Sequence, residues 1–260
     1  MIFCSLYSGS SGNSIFTGSE KTKVLVDAGL TGKSIINAIE NIGENPGELS
    51  GILVTHEHID HVKGVGILSR KFNLPVFANA KTWEAMVRWI GPIDKANTRI
   101  VDGDFTLGDL DISTFRVPHD SAACIGYTIR SGQKAVSVAT DIGVFTDEIL
   151  YGIRESDLIL IESNHDIEMV KFGPYPYSLK RRILGELGHL SNADSGKAIL
   201  EVLKTGKKKI VLGHLSGTNN VPELAYKTVE NIIVESGLVL DRDVILSLAS
   251  RIRPSSYSEV

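Results

Sequence analysis

The stretch ILVTHEHIDHVKG, residues 52–64, constrains the fold of this chain more than any other part of its sequence. Directly after an apolar run, positions 56–61 contain three histidines and two carboxylates. Burying an unpaired charge is costly, so such a cluster lies either on a solvated loop or around something that uses its lone pairs.

Local geometry favours the second interpretation. If a strand ends near His56, then His56 and His58 project to the same side, because side chains alternate along a strand. Asp60 and His61 then fall at the start of the following helix, and all four side chains can converge at one strand end. Imidazole nitrogens together with a carboxylate oxygen suit Zn, Mn or Fe, so the stretch predicts a metal site.

Length and composition predict a globular protein. With 260 residues, 42% of them hydrophobic, the chain can build a substantial core. No linker rich in Pro, Gly and Ser divides it, so we expect a single domain over residues 1–260, with residues 251–260 as a frayed tail. Neither a membrane span of ~20 apolar residues nor a signal peptide is recognisable, and we expect a cytoplasmic protein without membrane contact.

Charge and cysteine content narrow the function classes. The net charge of -4 argues against a protein that binds nucleic acid by bulk electrostatics. It leaves room for an enzyme that neutralises phosphates with bound metal ions. Cys4 and Cys124 can form one disulfide, but two free thiols are the state expected in a reducing cytosol.

Further potential ligands stand at the ends of predicted strands. His119 follows ISTFRVP, Asp141 follows AVSVAT and His214 follows KIVLG. Strands come in runs at first and later alternate with helical periodicity, which predicts an α/β (α+β) chain with two packed sheets and helices outside. A residue at a strand end can point into a shared crevice, so these three residues and the histidine cluster indicate one centre.

The order D…H-x-H-x-D-H…H…D…H, from Asp27 in KVLVDAG to His214, resembles the metallo-β-lactamase superfamily. The resemblance implies an αββα four-layer sandwich, two mixed β-sheets flanked by helices, with two metal ions at one edge. It implies that Asp27 orients a ligand histidine. The implied ligands are His56, His58 and His119 for one ion, and Asp60, His61 and His214 for the other, with Asp141 bridging.

The paired metal site suits hydrolysis. Two divalent ions ~3.5–4 Å apart can share a hydroxide and clamp the oxygens of an in-line displacement. That chemistry serves a phosphodiester, a thioester or an amide, and the motif alone does not choose. Manganese is the ion that the resemblance implies, with zinc and iron as alternatives, because His and Asp accept all three.

Three later motifs resemble the phosphodiesterase branch of the superfamily, which includes tRNase Z. These are LILIESNHD with Glu162 and His165, LGHLSN with His189, and PHDSAACIGYTI. In tRNase Z a strand-end Glu partners a His in a His-Ser-Thr motif, and here Leu replaces the middle Ser. The resemblance implies that His189 is a general acid oriented by Glu162, with Asp60 as a further catalytic residue. The alternative for His189 is a histidine at a helix cap on the surface.

The stretches SLYSGSSGNS, ESNHD and GPYPYSLKRRILGELGHLSN most resemble the bacterial YycJ (WalJ) family, over nearly the whole chain. This implies a metal-dependent phosphodiester hydrolase, a 5′-to-3′ DNA exonuclease that acts at strand ends. The alternatives are a small-molecule or cyclic-nucleotide phosphodiesterase, a hydrolase like glyoxalase II or a lactonase, and a non-catalytic protein with a structural metal site. The pair Glu162 and His189 argues against thioester cleavage, which does not need this acid.

Four residues are candidates for contact with the substrate phosphate or for support of the metal ligands: Ser10, Ser11, Asn13 and His165. The Gly-Ser loop 8–13 either gives the turn geometry of a hairpin or presents N–H groups to a phosphate. The aromatic loop 172–178 either stacks unpaired bases or packs as a rigid loop. The sequence indicates no oligomeric state.

Overall fold

The computed structural model describes all 260 residues, in fourteen strands and nine α-helices. The strands are β1 (Ile2–Tyr7), β2 (Ser14–Gly18), β3 (Lys23–Val26), β4 (Leu49–Leu53), β5 (Val76–Ala78), β6 (Thr98–Ile100), β7 (Phe105–Leu107), β8 (Leu110–Arg116), β9 (Ile125–Ser131), β10 (Lys134–Ala139), β11 (Leu158–Glu162), β12 (Lys208–Gly213), β13 (Val244–Leu248) and β14 (Ser258–Glu259). The helices are α1 (Gly32–Asn41), α2 (Ile59–Val62), α3 (Val65–Phe72), α4 (Ala80–Ile90), α5 (Asp147–Ile153), α6 (Ile167–Phe172), α7 (Tyr177–Ile183), α8 (Asn192–Leu203) and α9 (Pro222–Glu235).

The strands form two seven-stranded mixed sheets. The first has the order β14-β1-β2-β3-β4-β5-β6, and its strands run parallel from β3 to β6. The second has the order β13-β12-β11-β10-β9-β8-β7, and its strands run parallel from β10 to β13. In each sheet, several parallel strands therefore end side by side. The region beyond the carboxyl ends of such strands is the usual place for a ligand.

Alternating side chains divide the apolar residues into three layers. In β11, Leu158 and Leu160 join the cluster between the sheets, whereas Ile159 and Ile161 join the cluster under the helices. Helices α1, α3 and α4 cover the outer face of the first sheet, and α5, α8 and α9 cover that of the second. The predicted αββα sandwich is confirmed. The single domain over residues 1–260 stays a prediction, which the layer shared by both sheets supports.

The C-terminal segment is not frayed, and this part of the sequence prediction is wrong. Ser258 and Glu259 pair antiparallel with β1, and the Ser5 N–H donates to the Ser255 hydroxyl at 3.0 Å. Without β14, the outer edge of β1 would leave a row of backbone N–H and C=O groups unpaired. Since the segment lacks apolar periodicity, composition gave no sign of this pairing. None of the nine helices combines the length and the apolar character that crossing a bilayer requires.

Candidate metal centre

Three predicted site residues lie one or two positions after the ends of strands, in an unusual backbone conformation. Asp27 after β3, Asp141 after β10 and His214 after β12 have φ angles of 61°, 61° and 55°. A left-handed conformation is uncommon for residues that carry a Cβ, and it concentrates at functional sites. These turns bring side chains from both sheets together over one edge of the sandwich.

The first group of potential ligands is His56, His58 and His119, each of which offers a nitrogen within 4.8 Å of the others. His119 Nδ1–H donates to the Gly188 carbonyl at 3.1 Å, so its Nε2 is left as an acceptor. His56 Nδ1 lies 3.0 Å from Thr55 Oγ1. The Nε2 atoms of His56 and His119 are buried without a hydrogen-bond partner, as expected of atoms that await a ligand.

The second group is Asp60, His61 and His214, also within 4.8 Å of one another. Asp60 Oδ2 lies 3.6 Å from His61 Nε2 and 3.8 Å from His214 Nε2, and the latter atom is buried without a partner. Asp27 Oδ2 accepts from His61 Nδ1–H at 2.7 Å, and Asp27 Oδ1 accepts from the Thr55 N–H at 2.8 Å. Asp27 thus lies where a carboxylate orients a ligand histidine.

The Asp141 carboxylate lies between the two groups. Its Oδ2 is 3.3 Å from His61 Nε2 and has no hydrogen-bond partner, and its Oδ1 is 3.7 Å from His119 Nε2 and 3.6 Å from His214 Nε2. One carboxylate therefore reaches ligand atoms of both groups, which is the arrangement that a bridging ligand requires.

The charge of the site fits cations. Four carboxylates meet here, those of Asp27, Asp60, Asp141 and Glu162. Their only ion-pair partners within 4.0 Å are histidines. Burial lowers the pKa of His61, but the carboxylates around it outweigh burial and raise that pKa to about 9. Two divalent cations would balance four carboxylates, and the mixed nitrogen and oxygen donors fit Zn, Mn or Fe.

Both carboxylate oxygens of Glu162 are saturated with hydrogen bonds from the protein. Its Oε1 accepts from His189 Nδ1–H at 2.8 Å and from His214 Nδ1–H at 2.6 Å. Its Oε2 accepts from the N–H groups of Ile142 and Leu190 at 2.6 and 3.2 Å. Burial raises the pKa of Glu162, but the two imidazoles outweigh it and hold that pKa below its usual range. Although Glu162 lies among potential ligands, it has no oxygen left for an ion.

His189 lies in a further potential ligand group with Asp141, Glu162 and His214, but it is more exposed than the buried histidines His56, His61, His119 and His214. Its side chain is 14% exposed, and its Nε2 makes no protein hydrogen bond. The cap of α8 is Ser191, whose hydroxyl accepts from the Asp194 N–H at 3.1 Å. The cap role that was the alternative for His189 is therefore filled by another residue.

The four candidates for phosphate contact or ligand support have different surroundings. Asn13 is buried, and its Nδ2 lies 3.0 Å from His61 Nε2. Ser10 and Ser11 form the exposed tip of a turn that the Gly12 N–H closes onto the Gly9 carbonyl at 2.9 Å. That turn agrees with the hairpin interpretation of the loop.

His165 is buried after β11, and it is not among the potential metal ligands. Its Nδ1 has no hydrogen-bond partner. Burial lowers the pKa of His165 to about 4, so the ring is neutral near pH 7.

Three residues that contact the potential ligands were not among the predicted site residues, although Ser8 lies in the loop 8–13 considered above. Thr55 Oγ1–H donates to Asp27 Oδ2 at 2.8 Å and lies beside the Nδ1 atoms of two histidines. The Ser8 hydroxyl accepts from the His214 N–H at 2.8 Å, and Gly188 supports His119 through its carbonyl. Thr55 directly precedes the histidine cluster, which was a usable signal. Backbone support from Gly188 leaves no signal in the sequence.

The aromatic loop 172–178 is mostly exposed. Phe172 and Tyr177 are 84% and 75% exposed, so their rings are accessible, and the role of the loop stays a prediction. The following helix, α7, is tied to the centre by Arg182, whose Nη2 donates to Asp120 Oδ1 at 2.9 Å. Asp120 follows His119 directly, so α7 lies beside the first group of ligands.

Comparisons with known proteins agree with this geometry. The family described as Beta-lactamase superfamily domain matches residues 22–215. The chain is 43% identical over 237 residues to Exodeoxyribonuclease WalJ of Streptococcus pneumoniae serotype 2 (strain D39), a match that covers 90% of this chain and 88% of the relative. It is 42% identical over 237 residues to Exodeoxyribonuclease YycJ of Bacillus anthracis, with 90% of each chain covered. The metallo-beta-lactamase fold protein YhfI from Bacillus subtilis superposes with a TM-score of 0.71 at 15% identity, covering 98% of this chain and 100% of that one, a likeness of fold alone.

Proposed function

The chain belongs to the beta-lactamase superfamily and, within it, to the family of the exodeoxyribonucleases WalJ and YycJ, and we propose from this premise that it removes nucleotides from DNA ends. It is a hydrolase with a metallo-β-lactamase fold, and its potential ligand groups indicate divalent metal ions. The finer statements that follow, on residues, ions and polarity, are part of the proposal.

In this proposal seven residues would hold two ions: the six residues of the two ligand groups, and Asp141. When bound, a pair of divalent ions supplies a nucleophile derived from water near neutral pH and positive charge opposite the phosphate oxygens. Support comes from the buried Nε2 atoms of His56, His119 and His214, which have no partner in the protein. Asp60 contributes as a ligand and acts next to the reacting phosphate.

His189 acts as the general acid. Its Nδ1–H donates to Glu162, which fixes the orientation of the ring, while Nε2 remains available to the substrate. Transfer of a proton from Nε2 to the leaving sugar oxygen avoids departure of a free alkoxide. This effect is worth about 10²–10⁴-fold in rate. The leaving oxygen takes the proton, and the imidazole is reprotonated from solvent.

The pair of Glu162 and His189 is the observation that carries the choice of a phosphodiester. A thiolate leaves without an acid, so a hydrolase of the glyoxalase II type has no use for a partly exposed histidine held by a buried carboxylate. The partner in this proposal is therefore DNA, bound at a strand end. We propose 5′-to-3′ polarity and manganese as the activating ion, on family resemblance. The free thiols of Cys4 and Cys124 fit a reducing compartment, for which we propose the cytoplasm.

Purified protein with Mn²⁺ is expected to release mononucleotides from end-labelled single- or double-stranded DNA. Label at the 5′ end should appear in mononucleotide at once, and label at the 3′ end only late, because degradation starts from the 5′ end. A chromogenic phosphodiester serves as the parallel substrate. If the protein hydrolysed that small ester but left the DNA undegraded, the result would contradict the proposal and favour a small-molecule phosphodiesterase.

A further inference from the structure

Arg251 lies at the same sheet edge as the metal centre, in the segment expected to be frayed. β13 runs parallel to β12 and pairs Leu248 with Leu212, so the residues that follow both strands emerge at one edge. Neighbouring strands are ~4.8 Å apart, so Arg251 follows a strand that is one strand spacing from the one that leads to His214.

Ser8 links the two segments. Its N–H donates to the Ser250 carbonyl at 3.0 Å, and its hydroxyl accepts from the His214 N–H at 2.8 Å. The backbone that carries Arg251 is therefore joined, through one residue, to the backbone of a potential metal ligand. Four consecutive parallel strands now place a charged or ligating residue at or just after their ends: Asp141, Glu162, His214 and Arg251.

Two glycine turns accommodate the Arg251 side chain. A Cβ on Gly9 would lie 2.6 Å from Arg251 Cγ, and a Cβ on Gly217 would lie 2.1 Å from Nη1. No L side chain fits at either position without displacing the arginine. The guanidinium thus lies between the turn that exposes Ser10 and Ser11 and the turn that follows His214.

This guanidinium has no partner in the protein. Its Nε is buried without a hydrogen bond, and no carboxylate lies within 4.0 Å of it, whereas Arg182 pairs with Asp120 and Arg242 with Asp243. A buried donor without an acceptor is rare unless a ligand supplies the acceptor. The planar fork of N–H donors matches the oxygens of a phosphate.

We propose that Arg251 and the Gly9–Gly12 turn form a subsite for a DNA phosphate beside the metal centre, an inference that rests on the proposed function. The phosphate is either a diester within the strand or a 5′-terminal monophosphate. The exposed hydroxyls of Ser10 and Ser11 line the same subsite. It holds the strand while a neighbouring phosphodiester occupies the metal centre.

The test measures DNA binding by metal-loaded protein in a His189→Ala background, in which cleavage is slow. Oligonucleotides with a 3′ fluorophore, with and without a 5′ phosphate, are titrated across a salt series by anisotropy. Arg251→Gln should weaken binding about ten-fold, as for a lost hydrogen bond between charged groups. The slope of log K against log salt should fall by about 0.7, the value for one phosphate contact on a single strand.

Arg253→Gln is the matched control, because Arg253 is exposed in the same segment and makes no hydrogen bond. It should bind as the background protein does. Arg251→Lys keeps the charge and most of the apolar stem, so it should retain the salt slope and lose less affinity. Melting curves show whether Arg251→Gln is folded. If it is not, Arg251→Lys is used for the test in its place. A loss restricted to the 5′-phosphorylated strand identifies the terminal phosphate, and an equal loss on both strands identifies an internal one.

Equal affinity and equal salt slope in Arg251→Gln and Arg253→Gln would overturn this subsite. The proposed function fails separately, if protein with His189 intact degrades no DNA. DNA degradation by that protein, combined with unchanged binding in Arg251→Gln, makes only the subsite wrong.

Discussion

Asp141→Asn will abolish hydrolysis of both DNA and a chromogenic phosphodiester. The Asp141 carboxylate is the only carboxylate within 4.0 Å of ligand atoms of both metal groups, at 3.3 Å from His61 Nε2 and 3.7 Å from His119 Nε2. Replacing a residue that merely orients a ligand typically costs roughly 10–100-fold in affinity or activity, and the loss here should exceed that range. Steady-state rates on both substrates measure it.

The same variant should lose its stabilisation by metal. A ligand at 100 times its Kd stabilises a protein by about 2.7 kcal/mol, which raises the Tm of a chain of this size by about 5–10 °C. Chelated wild-type protein should gain this increase when Mn²⁺ is added, and Asp141→Asn should gain far less. Asp111→Asn is the matched control, because Asp111 is exposed on β8 and makes no side-chain hydrogen bond. An Asp141→Asn protein that keeps wild-type turnover and its metal-dependent Tm would rule out a bridging role.

We expect His189→Ala to lower turnover without lowering metal content, which distinguishes a general acid from a metal ligand. Its turnover of DNA should fall about 10²–10⁴-fold, because the sugar oxygen then leaves without a proton. Turnover of a nitrophenyl phosphodiester should fall much less, since nitrophenolate is a stable leaving group. Metal content should stay at the wild-type value, because the only hydrogen bond of the His189 ring goes to Glu162.

His119→Ala is the matched histidine variant, and its Nε2 faces the first metal group. It should lose metal and should lose turnover of both substrates equally. Glu162→Gln would be less informative, because Glu162 holds His214 as well as His189. Equal metal loss in His189→Ala and His119→Ala, or equal effects on the two substrates in both, would contradict the assignment of His189.

The central site was predictable because its residues lie in local patterns. His56, His58 and His61 were recognisable from their spacing after an apolar run. The expected strand end near His56 is wrong, because β4 ends at Leu53, and the side chains converge from the following loop and from α2. His119, Asp141 and the other strand-end residues could be recognised because apolar runs of strand length precede them. These patterns need only a few neighbouring residues to be visible.

Other features depend on contacts that no local pattern reveals. Ser8 supports His214 across 206 residues of sequence, and β14 pairs with β1 at the opposite end of the chain. The helix predicted after the histidine cluster is broken at Gly64, whose N–H donates to the Ala28 carbonyl at 2.7 Å. A Cβ on Gly64 would lie 2.5 Å from the Leu30 carbonyl, so close packing against the loop after β3 explains the break. Such approaches appear only once the sheets are assembled.

The metal content of the purified, Mn²⁺-loaded chain, measured by inductively coupled plasma mass spectrometry after removal of free metal, tests the account most directly. Six side chains in two groups, with the Asp141 carboxylate between them, predict two ions per chain. A content of zero or one ion per chain, in protein that hydrolyses phosphodiesters at full rate, would contradict it.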